Sequence, residues 1–289
     1  MYPDKTAHPK HISDAMNAKN IAKTAISRIP WLLPTLQKQR LRRYRVKRYA
    51  AFQGRFAQSV YADGPIEVLS GPFANMRYFD NVVWGPITPK WIGSYESELH
   101  EALATVMNTS YDVVVDVGAA EGYYAVGLAR AKADTRVITY DIDGRARKQQ
   151  RQLAELNGVA DQVDVRGYCR PSDLQRDIAD ARALVISDIE GSELELLDPE
   201  QTPSLCQADI LIECHDREDL TAEQVLDLLA TRFEPTHSVE VFRSSRRSTA
   251  SWADLPNLRP VPSEDLSFAL DESRNHPQPW LWLRTKKPL

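Results

Sequence analysis

Val113-Val-Val-Asp116-Val-Gly118-Ala-Ala-Glu121-Gly122-Tyr-Tyr decides the fold of this 289-residue chain. Four valines in five positions read as a strand buried on both faces, and the glycine-bounded turn leads into a helix expected over Gly122–Lys132. Working outward, the alternation repeats. Strands are expected at Arg136–Tyr140, Val163–Tyr168, Ala183–Ser187 and Asp209–Glu213. Between and after them fall helices over Arg145–Asn157 (stopping near Gly158), from Pro171 and Ser172, near Glu193–Leu197 and over Thr221–Thr231. Strand–helix repetition with right-handed crossovers gives a parallel sheet covered on both faces. Val239–Phe242 and Trp280–Leu283 add two strands as an antiparallel pair at one edge, with Trp280 and Trp282 on one face and Leu281 and Leu283 on the other.

Upstream of this core the pattern changes. Residues 61–92 carry two short apolar runs, Ile66-Glu-Val-Leu and Met76-Arg-Tyr-Phe, either side of Gly71-Pro72, which predicts a β-hairpin or a pair of short strands. A helix is expected over Ser94–Met107, with Ser94 as its cap. Residues 1–60 predict a helical extension, with helices over 11–28 and 36–52 separated by the Ile29-Pro-Trp-Leu-Leu-Pro34 break. The domain plan is thus 1–60 basic helical extension, 61–93 hairpin and linker, and 94–289 α/β domain.

The net charge of −4 conceals a division. Residues 1–60 hold 13 Lys/Arg against 2 Asp/Glu, a net of +11, and the remainder has a net of −15. The longest early apolar stretch, Ile29–Leu36, is too short and too proline-broken to span a bilayer. The start of the chain lacks a secretory apolar core, and three cysteines without C-x-x-C spacing argue for reduced thiols and against structural zinc. A cytoplasmic protein is expected. The basic arm has three readings: a solvated face on its own acidic body, a homodimer contact, or peripheral attachment to anionic lipid through the dense run Lys38–Arg48. Nucleic acid is not an expected partner, because no recognised binding module is present.

Ligands of doubly wound sheets bind beyond the carboxyl ends of the strands. Gly118, Ala119, Ala120 and Gly122 permit close approach there, and Asp116 and Glu121 make the turn acidic. A dinucleotide fold would want G-x-G-x-x-G and a free helix N-terminus for pyrophosphate. The acidic Gly-x-x-x-Gly spacing suits a cationic ligand without phosphate, a description that S-adenosylmethionine (SAM) fits. The second strand ends Tyr140-Asp141-Ile142-Asp143, placing Asp141 to accept ribose hydroxyls and Asp143 to cap the next helix.

Asp116-x-Gly118-x-Ala120-x-Gly122 resembles motif I of the class I SAM-dependent methyltransferases, and Asp141 resembles their ribose-binding acid. Ser187-Asp188-Ile189-Glu190-Gly191-Ser192-Glu193 is similar to the D-x-E-G-x-E segment of the FkbM-type branch, and Tyr95-Glu96 resembles that family's usual lead-in. The likeness covers roughly residues 94–242, and Ala120 departs from the Gly or Asn common in motif I. It implies a Rossmann-like seven-stranded sheet, SAM as cofactor, and O-methylation of a small-molecule acceptor, a saccharide or a secondary metabolite. It implies cofactor contacts from Asp116, Gly118, Ala119, Glu121, Gly122, Tyr123, Asp141, Ile142 and Asp188.

A hydroxyl nucleophile gains from a base within hydrogen-bond reach. Candidates lie at the ends of the fourth and fifth strands: Asp188, Glu190, Glu213, His215 and Asp216, with His215 the expected base near neutral pH. The same set has two other readings, a site for Mg²⁺ or a similar ion, and purely structural acids. A divalent metal is not the expectation. Glu190 and the loop residues Arg243 and Arg247 are candidate acceptor contacts, the arginines for an anionic group, against the plainer reading of a solvated loop. Two other functional classes stay open: a nicotinamide-dependent oxidoreductase, opposed by the missing G-x-G-x-x-G, and a catalytically silent methyltransferase-like adaptor acting through the arm.

Overall fold

The computed structural model describes residues 49–62, 64–82, 84–274 and 278–286. The chain divides into two units, Met1–Arg55 and Phe56–Leu289. In the first, residues 49–55 are described and are helical. The helix expected over 11–28, most of that over 36–52, and the run Lys38–Arg48 lie outside the described residues.

The second unit is built on one sheet of order β3-β2-β1-β4-β5-β7-β6. Its strands are β1 (Val113–Val117), β2 (Arg136–Tyr140), β3 (Val163–Arg166), β4 (Ala183–Ser187), β5 (Asp209–Glu213), β6 (His237–Arg243) and β7 (Pro279–Thr285). The first five are parallel, and β7 runs antiparallel between β5 and β6. This is the expected seven-stranded, mostly parallel α/β architecture. Every residue of β1 and β4 is buried, as the valine-rich runs require when helices cover both faces. Side-chain alternation divides the core as the sequence predicted. Val113, Val115, Val117, Ile210, Ile212, Leu281 and Leu283 share one cluster, leaving Asp116, Glu213, Trp280 and Trp282 to the opposite face.

Strand order reverses between β1 and β4, which opens a crevice at their carboxyl ends. Residues 56–61 are helical, and among the described residues of the second unit eight further α-helices follow in chain order: α1 (Thr88–Ile92), α2 (His100–Asn108), α3 (Tyr123–Ala131), α4 (Gly144–Leu156), α5 (Pro171–Ile178), α6 (Glu193–Leu196), α7 (Ala222–Phe233) and α8 (Ser263–Ala269). Asp143 caps α4 by accepting from the Arg145 N–H at 2.8 Å, and Gly158 ends that segment at φ +69°. Among the described residues no helix is long and apolar enough to cross a membrane. All three cysteines are free thiols.

The two short runs expected to pair do so antiparallel through the bridge Glu67↔Arg77, with the Val68 and Tyr78 N–H groups donating to the Met76 and Ile66 carbonyls at 2.9 Å, and residues 88–92 form α1. One local expectation is corrected. The helix expected from Ser94 begins at His100, after a 3₁₀ turn over Ser97–Leu99. Gly93 at φ +81° terminates α1, and Glu96 at φ +47° redirects the chain, so Ser94 cannot cap α2.

Candidate functional site

The glycine loop after β1 is shaped by the neighbouring strand. Gly118 sits at φ +82°, and a Cβ there would overlap the Asp188 carbonyl oxygen. The Asp188 N–H donates to the Val117 carbonyl at 2.9 Å, so the β1 and β4 loops are in backbone contact. Gly118 therefore serves this close backbone approach as well as the positive φ that glycine allows. Gly122, at φ +97°, opens α3. Ala120 adopts φ +48°, which costs a non-glycine residue roughly 1–2 kcal/mol. Two bonds hold it there: its N–H donates to Asp141 Oδ2 at 2.9 Å and its carbonyl accepts from Gln150 Nε2 at 2.7 Å.

Asp141 also accepts the Asp143 N–H on Oδ1 at 2.7 Å, and each carboxylate oxygen keeps a further lone pair. Burial raises its proton affinity, opposed by these backbone bonds. Ile142 beside it is 80% exposed, an unusual position for a large apolar side chain next to a crevice. Asp116 is buried, and its Oδ2 has no partner. Burial pushes its carboxyl up to about 7, opposed by the Ala125 amide.

Glu121 does not line an open rim. It is fully buried, accepts from Tyr78 Oη at 2.5 Å and pairs with Lys90 from α1. The Lys90 ammonium lies 4.7 Å from the ring centre of Tyr95. Tyr123 packs edge-on against Phe73, Tyr78, Tyr95 and Tyr124. Ala119 is buried in the same loop.

Across the crevice, β4, β5 and α6 converge on His215. Its Nδ1 lies 2.6 Å from Glu193 Oε1; its Nε2 lies 3.3 Å from Asp188, 3.5 Å from Glu213 and 3.7 Å from Glu190. His215, Glu213 and Glu193 are buried, and Asp188 and Glu190 keep side chains 32% and 83% exposed. Although burial alone would lower the imidazolium's pKa, the surrounding carboxylates push it up to about 11. That direction favours the imidazolium, so His215 would serve as a base only after giving up that proton. Burial, then the charge of Glu213, raises the Asp188 carboxyl well above its usual range, with His215 opposing. Glu213 is held low in spite of burial, by His215 and by Arg274. Asp216 points elsewhere and accepts the Ala222 N–H at 2.8 Å at the start of α7.

Asp188, Glu213 and His215 each place one ligand-type atom within 4.8 Å of the others. Two hard carboxylates and an imidazole suit a divalent ion such as Mn²⁺ or Fe²⁺ at least as well as Mg²⁺.

Several contributors escaped the sequence reading. Arg274 pairs with Glu96, Glu213 and, at 3.0 Å, Glu272, joining the segment before β7 to the crevice. Glu96, fully buried, also accepts from the Tyr124 hydroxyl, and burial pushes its carboxyl up to about 8. Its positive φ and the Tyr95-Glu96 pair were the available signals. Lys90 and Arg274 gave none, since only the fold brings them to their partners. Arg247 is buried between Glu98 and Glu272, and Arg243 pairs with Glu223 at 2.8 Å. Arg247 is thus committed to two carboxylates, whereas Arg243 remains on the surface.

No family model matches the chain, and no curated protein does. Several solved structures are similar to parts of it at low identity. The O-methyltransferase TomG from Streptomyces achromogenes, in complex with SAM, superimposes with a TM-score of 0.44 at 14% identity, covering 82% of this chain and 90% of that one. An O-methyltransferase from Bacillus cereus in complex with SAH gives 0.43 at 14% identity, covering 68% and 82%. The C-terminal domain of a precorrin-6Y C5,15-methyltransferase from Rhodobacter capsulatus gives 0.41 at 15%, covering 65% and 87%. At such identities and scores these likenesses carry no functional weight, and function rests on the residues above.

Proposed function

We propose that this chain is a SAM-dependent methyltransferase that methylates a hydroxyl oxygen of a small-molecule acceptor, a saccharide or a secondary metabolite. The observation that carries the reading is the contact between the two halves of the site: the Asp188 backbone fills the space beside Gly118, so a partly exposed carboxylate stands next to the glycine loop. The loop's own chemistry separates this reading from a dinucleotide enzyme. The Ala120 amide, which a pyrophosphate would use, is occupied by the Asp141 carboxylate. A phosphate would meet Asp141 and the buried Asp116, whereas a sulfonium and an ammonium would find complementary charge. The unpartnered Asp116 Oδ2, the spare lone pairs of Asp141 and the exposed Ile142 fit a ligand with a cation, a ribose and an apolar ring.

SAM supplies a methyl group on a sulfonium, an electrophile with a neutral thioether as leaving group. The protein's part is positioning and proton handling. Asp188 accepts the hydroxyl proton as the acceptor oxygen bonds to the methyl carbon and the carbon–sulfur bond breaks; its carboxylate is partly exposed and stands beside the glycine loop. His215, held by Glu193, acts through Asp188 as a fixed cation that keeps the carboxylate ionisable. A second reading, in which Asp188, Glu213 and His215 hold a divalent ion that acidifies the hydroxyl, is favoured by their convergence within 4.8 Å. Incubation with methyl-labelled SAM and a panel of polyols and phenols, read by mass spectrometry with and without EDTA, tests both. Transfer that survives EDTA and is lost in Asp188→Asn supports the direct base. Transfer abolished by EDTA and restored by Mn²⁺ supports the ion, and no transfer to any hydroxyl counts against the O-methylation reading.

A further inference from the structure

At the opposite end of the sheet from the crevice lies a cleft of about 340 Å³. It is walled by the start of β4, the segment before β5, the β6–β7 ribbon and α2. Its volume is within the range of small-ligand pockets. Two arginines line it, Arg182 and Arg284, and neither guanidinium has a carboxylate partner among the described residues. The one acid in the lining, Asp209, is already used: it accepts from the Tyr111 hydroxyl at 2.7 Å and from the Thr285 N–H at 2.9 Å. With two guanidinium groups against one carboxylate, the cleft lining carries a net positive charge.

The arginines are held in place by backbone. The Arg182 N–H donates to Asp112 Oδ2 at 2.8 Å, and its carbonyl accepts the Asp112 N–H at 2.9 Å, which pins it against the start of β1. Arg284 sits opposite Ser238 in the β6–β7 register. Arg284 is mounted on β7, where side chains keep their geometry better than on loops, and Arg182 immediately precedes β4. A third cation, Lys132, lies 5.6 Å from the Tyr111 ring centre, and Arg182 lies 5.9 Å from that same ring. Burial and then the charge of Arg182 lower the Lys132 pKa, the direction expected where positive charge is crowded. Gln207 adds an amide to the lining. Planar guanidinium forks match the paired oxygens of phosphate and carboxylate groups.

We propose that this cleft binds a small, multiply charged oxyanion, phosphate-bearing or polycarboxylate, at a site separate from the methyl-transfer crevice. Isothermal titration of the full chain with inorganic pyrophosphate and with citrate tests it. Saturable binding of at least one is expected, and the tighter of the two names the ligand class. Arg182→Gln and Arg284→Gln are each expected to weaken it by about tenfold or more, the loss of one charge-assisted pair. Both side chains are exposed, so melting temperatures should stay at the wild-type value. Arg284→Lys, which keeps charge but not the fork, should fall between. No binding of either anion by the wild type, equal binding by the glutamine variants, or weakening only where the melting temperature also falls would each overturn the proposal. None of these readouts depends on SAM or on methyl transfer.

Discussion

His215 Nδ1 lies 2.6 Å from Glu193 Oε1, with the imidazole 3% and the carboxylate 0% exposed. Glu193 Oε1 also accepts the Gly191 N–H at 3.0 Å, so the loop after β4 is fastened to the histidine that follows β5. This pair favours the imidazolium form of His215, and of the carboxylates around that ring Asp188 and Glu190 keep exposed surface.

Glu193→Gln removes the charge and keeps a hydrogen-bonding side chain. The His215 proton should then be released at lower pH, shown by imidazole NMR titration of the cofactor-free protein. Removing one member of a buried pair costs about 3–5 kcal/mol, and the amide should recover part of that. An unchanged His215 titration would refute the assignment of its charge to Glu193.

Gly118 and Gly158 both have positive φ, yet their surroundings differ. A methyl group at Gly158 meets nothing within 4 Å, and Gly158→Ala should cost about 1–2 kcal/mol of backbone strain. Gly118→Ala adds a collision with the Asp188 carbonyl and should cost well beyond that or prevent folding. Urea denaturation compares them, and equal losses would contradict the close β1–β4 approach.

The Lys90–Glu121 pair is buried on both sides. Lys90→Met strands a buried carboxylate and should destabilise by about 3–5 kcal/mol. Adding Glu121→Gln to Lys90→Met should recover part of the loss, because the stranded charge is gone. A double variant no more stable than Lys90→Met would show that the lysine matters only through packing.

Cofactor-free stability should fall as pH rises. His215, with its folded value near 11, contributes fully below its ordinary value near 6.5 and loses that contribution as pH climbs toward 11. Asp116 and Glu96, raised by burial to about 7 and about 8, keep protons the unfolded chain has lost, and so act in the same direction. Glu213, held low, works the other way but only in the acid range. Melting temperatures should decline between about pH 6 and about pH 9, and a flat or rising trend would contradict these assignments.

The sheet was legible because each core strand is a short β-branched run bounded by turn residues, as in Val113–Val117 and Ala183–Ser187. The loop chemistry was legible where neighbouring residues share a task, as Asp141 and Asp143 do. It failed where tertiary packing decides. Glu121 reads as an acid facing a ligand until Lys90 arrives from a separate helix. Arg247 reads as a loop arginine until Glu98 and Glu272 close on it. The charge state of His215 depends on four carboxylates from three segments, a sum that no local pattern contains.

In the proposed function the acidic glycine loop holds SAM and not a dinucleotide. Isothermal titration of the full chain with SAM and with NAD, repeated on Asp141→Ala, separates the two. Saturable SAM binding, about tenfold or more weaker in the variant, and no binding of NAD are expected. Binding of NAD alone, or SAM binding indifferent to Asp141, would contradict it.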